Sequence, residues 1–136
     1  MKLLMIYSDK FSYKTSIKNL DSVESYEENK QMENVLIGFI QVEQQDEDNI
    51  NKVETKMIKN LKWAANKNNT KRIVLHSFAH LSMSKADEKI TKDMFDRAEK
   101  RLHDSGYETS QTPFGYFLDL DIQAPGKSLA RLFKEF

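Results

Sequence analysis

Apolar residues along this chain fall into short runs separated by polar turns, and two longer segments repeat them at helical spacing. Leu3-Leu4-Met5-Ile6-Tyr7 is a continuous apolar run closed by Ser8-Asp9, which predicts a central strand buried on both faces. Residues 10–30 are polar with scattered Phe11, Tyr13, Ile17 and Tyr26, and predict a strand or hairpin followed by an exposed loop. Val35-Leu36-Ile37-Gly38-Phe39-Ile40-Gln41-Val42 is the strongest strand pattern, with Gly38 marking a bulge or a close backbone approach. Asp46-Glu47-Asp48-Asn49 puts acidic groups where a helix dipole favours them, and Val53, Met57, Ile58, Leu61 and Ala65 follow at helical spacing. Asn68-Asn69-Thr70 turns the chain into a strand over residues 71–75. A second amphipathic helix is predicted over about 87–103 from Ile90, Met94, Ala98 and Leu102, with Gly106 as its stop. Residues 107–110 and 116–122 read as strands, the latter half-buried through Phe117, Leu118, Leu120 and Ile122. Pro125-Gly126 then leads into a predicted short terminal helix carrying Leu129, Leu132 and Phe133. This order predicts the α/β class, with one mixed β-sheet packed with helices.

Composition narrows the picture. At 136 residues the chain supports one core, so residues 1–136 are expected to form a single domain. Charges of 21 against 21 give no global pull toward nucleic acid, so any RNA contact must be local. With no cysteine there is no disulfide, thiolate zinc site or cysteine nucleophile, which fits a cytoplasmic location. Three histidines alone make a poor metal site, and four glycines cannot supply a dinucleotide fingerprint or a phosphate loop, so neither metal nor cofactor is expected. The apolar start is too short for a signal peptide or a membrane span, and no membrane partner is expected.

The candidate chemistry lies in His76-Ser77-Phe78-Ala79-His80-Leu81-Ser82, directly after Ile73-Val74-Leu75, and in Pro113-Phe114-Gly115-Tyr116-Phe117. A buried strand that ends in small and polar residues can carry His80 to the rim of a sheet. There an imidazole can act as general base, general acid or hydrogen-bond donor, or simply cap backbone. His76 lies four residues earlier, but in extended chain the two rings do not converge on a metal. Ser77 and Ser82 lack a nucleophile elbow and a carboxylate placed to orient His80, so Ser82 and Ser84 read better as caps of backbone amides. The aromatic cluster around Gly115 suits either a stacking platform for a purine or a turn entering a core strand. Lys52, Lys56, Lys59, Lys62, Lys67, Lys71 and Arg72 gather on the first helix and its exit with Glu54 the only acid among them. They form either a solvated face or a contact for a phosphate backbone.

Residues 3–9, residues 32–43, Phe78-Ala79-His80-Leu81-Ser82 and Pro113-Phe114-Gly115-Tyr116 together resemble the N-terminal editing domain of archaeal threonyl-tRNA synthetases. The likeness spans nearly the whole chain, in order and at matching separations. It implies a fold like that of D-aminoacyl-tRNA deacylases, usually homodimeric, and hydrolysis of serine wrongly esterified to threonine tRNA. The implied partners are the tRNA acceptor end, its aminoacyl-adenosine and, in trans, a synthetase. Carried over by position, Val42 and Ala79 line the seryl and adenosine pocket, Phe78 and Gly115 belong to it, and Phe114 presents backbone. Phe117 stacks on adenine where relatives commonly have tyrosine, His80 holds the attacking water or the seryl group, and Tyr116 shares the motif.

The departures are as informative. Relatives that edit continue the aromatic motif with tyrosine and lysine, where this chain has Phe117 and Leu118. Arg131 aligns with a glutamate of a terminal helix, and Tyr7 with a frequent histidine. Losing a cation and a carboxylate beside one ester costs rate steeply, because electrostatic stabilisation is often the largest catalytic effect. Arg131 is the candidate to replace the lost charge. The resemblance therefore leaves an editing deacylase, a catalytically degenerate relative that binds the aminoacyl-adenosine end or a synthetase partner, and a deacylase of altered specificity.

Overall fold

The computed structural model describes residues 1–18, 20–22 and 27–136, so the expectation attached to Tyr26 lies outside the described residues. Its elements follow the order β1 (Lys2–Lys18), β2 (Asn29–Gln41), α1 (Ile50–Lys67), β3 (Arg72–Ser77), α2 (Glu88–Asp104), β4 (Glu108–Gln111), β5 (Tyr116–Gln123) and β6 (Arg131–Glu135). The strands form one sheet in the order β4-β3-β2-β1-β5, with β6 also paired to β1. β2, β3 and β4 run parallel through the crossovers α1 and α2, while β1 is antiparallel to β2, β5 and β6. The expected class, a mixed α/β sheet packed with helices, is the one found.

Both helices cover one face. Val53, Met57, Ile58, Leu61 and Ala65 of α1 and Met94, Ala98 and Leu102 of α2 pack with Leu3, Met5, Leu36, Ile40, Ile73 and Leu75. Asp87 caps α2 by accepting from the Lys89 and Ile90 amides, and Gly106 at φ 92° takes the chain out of it. Gly38 is a close approach rather than a bulge: its register with Met5 is unbroken, and a Cβ built there would lie 2.9 Å from Leu61 Cδ2.

Two expectations fail at the sheet's first and last strands. Ser8-Asp9 does not end β1, because β2 pairs with it from Lys2 to Lys14 and β5 takes up its other edge from Lys10 to Lys18. Ser8 Oγ accepts the Gln123 amide, so the polar residue serves the sheet. Pairing skips Asp9 and Asn34, and Asn34 adopts φ 52°. Across this irregularity the inward side switches: Leu3, Met5 and Tyr7 face the helices, whereas Phe11 and Tyr13 join Val35, Ile37, Phe39 and Val74 on the opposite face. The predicted terminal helix is instead a single 3-10 turn, Ser128–Ala130, followed by β6. The edge of β1 over residues 2–6 is not reached by β5 and needs a partner for its backbone groups, which residues 131–135 supply.

Candidate active site

The sequence singled out two segments, and the sheet brings them together. β3 and β4 are parallel neighbours, so the chain leaving β3 at Ser77 and the chain leaving β4 at Gln111 emerge at the same end of the sheet. His76, the last buried residue of β3, joins them: its Nδ1 lies 2.8 Å from Thr112 Oγ1, and the Thr112 amide donates to the Leu75 carbonyl. Gly115 at φ 84° then turns the motif back into β5.

Between these segments is a cavity of about 330 Å³. Val42, Phe78, Ala79, His80, Phe114, Gly115, Tyr116 and Phe117 all line it. The His80 and Phe117 rings face each other at 6.3 Å between centroids, and Phe78 stands edge-on to His80 at 4.8 Å. Phe114 turns its ring onto Phe95 of α2, 6.2 Å away. His80 and Phe117 are exposed at the mouth, and among the described residues the His80 imidazole makes no hydrogen bond.

Arg131 is not brought to this cavity. It lies on β6 opposite Ile6, and its guanidinium donates to the carbonyls of Pro125 at 3.1 Å and Ala124 at 3.4 Å. The segment that carries it is a strand, not the helix its spacing predicts. Leu118 does line the cavity while packing on the apolar cluster beneath β5, so this part of the wall is hydrocarbon. Tyr7 is buried in the helix-side core, its hydroxyl donating to Asn34 Oδ1. Burial, aided by the Asp9 charge, pushes the Tyr7 phenol above its ordinary value.

Several functional positions were not singled out by the pattern. Gln41 is the single polar residue in the apolar run of β2, a signal that something there needs hydrogen bonds. Its Oε1 accepts the Leu81 amide at 2.6 Å, and its Nε2 donates to the carbonyls of Ser82 at 2.8 Å and Ser84 at 2.9 Å. Glu43 extends the clamp, accepting from Ser82 Oγ at 2.7 Å and from the Met1 ammonium at 2.7 Å. Burial alone would push the Glu43 carboxyl up, but the Met1 ammonium, Ser82 and Lys2 outweigh it and hold the pKa at about 2. Ser84, read as a cap, does accept a backbone amide, that of Gln44. Lys85 and Glu88 complete the charged part of the rim.

Replacing Gln41 with alanine strips three hydrogen bonds from the loop behind His80 and is expected to cost about 1–3 kcal/mol. Hydrogen exchange at Leu81, whose amide Gln41 accepts, should accelerate while β3 amides remain protected; unchanged exchange there would refute the clamp.

His76 carries a pH dependence. Burial, assisted by repulsion from His80, pushes its pKa down from 6.5 to about 4. As pH falls the unfolded chain is protonated first, so the buried neutral ring contributes fully above pH 6.5 and that contribution is lost toward about pH 4. The loss is about 3 kcal/mol. The stability measured by urea unfolding should fall more steeply with decreasing pH across this window in the wild type than in His76→Gln; equal dependence on pH would remove His76 as the cause.

No group of three or more metal-ligating side chains stands together among the described residues. The fold and site thus define an α/β domain that carries a small-molecule cavity with a histidine and aromatic rings at its mouth. A profile of the family described as the archaea-specific editing domain of threonyl-tRNA synthetase matches residues 1–136, and the chain belongs to that family. Similar curated proteins include the threonine–tRNA ligases of Thermococcus kodakarensis, at 31% identity over 135 residues, and Pyrococcus furiosus, at 32% over 135. Each alignment covers 97% of this chain but 22% of the ligase, so the chain spans about a fifth of those relatives' length. A solved structure titled c-Myc DNA Unwinding Element Binding Protein shares the fold with a TM-score of 0.68, covering 100% of this chain and 99% of the other at 10% identity. No helix among the described residues is long and apolar enough to cross a membrane.

Proposed function

We propose that this domain hydrolyses the ester of serine wrongly attached to threonine tRNA, either in trans or as part of a threonyl-tRNA synthetase, in the cytoplasm and as a homodimer. The observation that carries the reading is the convergence of Ala79-His80 and Phe114-Gly115-Tyr116-Phe117 on one cavity. Its volume of about 330 Å³ is at the small end of ligand pockets, about 300–1,000 Å³, and suits an aminoacyl-nucleoside better than a larger ligand. In the proposed complex Phe117 stacks on the terminal adenine, with Phe78, Tyr116 and the backbone at Phe114 and Gly115 lining the seryl side. Val42 and Ala79 crowd the extra methyl of threonine, a difference worth about 1–3 kcal/mol.

Hydrolysis adds water across the ester. The water oxygen bonds to the seryl carbonyl carbon, the carbonyl–ribose oxygen bond breaks, and the proton released passes to the departing ribose oxygen. His80 holds the water and carries the proton, assisted by the neighbouring ribose hydroxyl of the substrate.

A second reading, binding of the aminoacyl-adenosine end or of a synthetase partner without turnover, is favoured by one specific observation. The family's lysine position is Leu118, packed on hydrocarbon, and Arg131 is tied to carbonyls of the 124–125 turn. Release of serine from mischarged threonine tRNA, with threonyl-tRNA alongside, separates the two. Serine release well above the spontaneous rate supports hydrolysis. No release with tight binding of a non-hydrolysable seryl-adenosine analogue supports the second reading, and failure of both rejects the site.

A further inference from the structure

The two helices treat their charges in opposite ways. Every lysine and arginine of α2 is paired: Lys89 with Asp93, Lys92 with Asp96, Lys100 with Asp104, and Arg97 and Arg101 with Glu54. α1 holds five lysines, and its single acid, Glu54, is buried and committed to those two α2 arginines. Among the described residues none of Lys52, Lys56, Lys59, Lys62 and Lys67 forms an ion pair. Since the whole chain has a formal net charge of +0, five lysines against one acid put +4 on α1 and −4 on the remainder.

The lysines are also aligned. At 3.6 residues per turn Lys52, Lys56, Lys59, Trp63 and Lys67 fall within about 80° of the helix circumference and extend about 22 Å along it. Trp63 is 45% exposed on this stripe, with Lys67 Nζ 5.8 Å above its ring. Lysines three and four apart repel, each pair weakening the helix by about 0.2–0.5 kcal/mol, and among the described residues no acid pairs with them to offset this. An anionic partner would. α1 also departs from the cavity end of the sheet, since β2 ends at Gln41, Val42 lines the cavity, and the 3-10 turn Gln44–Asn49 leads directly into the helix.

We propose that this stripe of α1 is the docking surface for the phosphate backbone of the RNA whose charged end enters the cavity. The inference rests on the reading of the ligand as an aminoacyl-tRNA. Regularly spaced cations on a rigid helix with one exposed aromatic suit a ladder of phosphates, and point charges of this kind position a nucleic acid without reading its sequence.

The test uses the full chain with uncharged threonine tRNA and the triple variant Lys52→Gln, Lys56→Gln, Lys59→Gln. Affinity should fall by about tenfold or more at low salt, and the slope of log affinity against log salt should lose about 2, at roughly 0.7–0.9 per phosphate contact. Trp63, the only tryptophan, should change its fluorescence when the wild type binds RNA. The melting temperature of the variant should rise, because self-repulsion is relieved, which keeps misfolding from explaining the loss. Binding of the seryl-adenosine analogue should not change. Unchanged affinity and salt slope would overturn the inference, as would unchanged RNA binding together with lost docking to an acidic protein surface. Failure of the analogue to bind, with the RNA effect intact, would instead reject the cavity reading and leave the docking surface standing.

Discussion

Substitution of His80 by alanine is expected to slow serine release from mischarged threonine tRNA by about a hundredfold or more, without lowering the melting temperature. The two halves of that expectation come from different features. A hundredfold corresponds to about 2.7 kcal/mol of transition-state stabilisation, the usual scale for a positioned proton carrier. Stability is spared because the ring is exposed and makes no hydrogen bond among the described residues; its contacts are with the rings of Phe78 and Phe117. The loop beneath it is held instead by Gln41 and Glu43. A His80→Ala protein that retains the wild-type rate would remove the imidazole from the reaction. In the same assay Leu118→Lys tests the missing cation, since a lysine there would project from a wall the cavity already touches. A gain in rate is expected, because charge near the developing oxyanion acts in a partly water-excluded site.

The largest effect on folding is expected at Gly38. It pairs with Met5 on one side and Leu75 on the other, and its missing side chain is the space into which Leu61 of α1 packs. Valine would place a Cβ within 2.9 Å of Leu61 Cδ2, with Ile40 Cδ1 next at 3.5 Å. Leu61 is fully buried, so it has no open solvent to retreat into. Overpacking of this kind costs about 1–3 kcal/mol, and the upper end is expected because a β-branched chain adds two methyl groups at the contact. That corresponds to a fall of about 10 °C in Tm for a domain of this size. Leu61→Ala should be destabilising alone yet partly rescue Gly38→Val, giving a coupling energy in a double-mutant cycle. Strict additivity would show that the clash is not with Leu61.

Much of this architecture was legible because it is local. The helical repeats in α1 and α2, the glycine after α2 and the apolar run of β2 are each decided within one element's own residues. Their burial stripes can be read directly. The two motifs of the site were legible in the same way, as departures from a plain core pattern at the exits of strands. Gln41 was not singled out, because its meaning required the loop it clamps.

What could not be read was every choice of partner. Leu129, Leu132 and Phe133 have the spacing of a helix stripe, and the segment became β6 because β1 offered an unfilled edge elsewhere in the chain. The length of β1, the switch of its inward side at Asp9 and Asn34, and the displacement of Arg131 from the cavity follow from the same pairings. The residues established α1 and α2 as helices, where the polar groups leave the core and how the charges divide between α1 and α2. The distances from His80 to Phe117 and from His76 to Thr112, and the surroundings that hold His76 neutral, arose from how distant strands met. Hydrogen bonds across a sheet and burial in a shared core depend on residues far apart in the chain, and no local pattern encodes which of them will be neighbours.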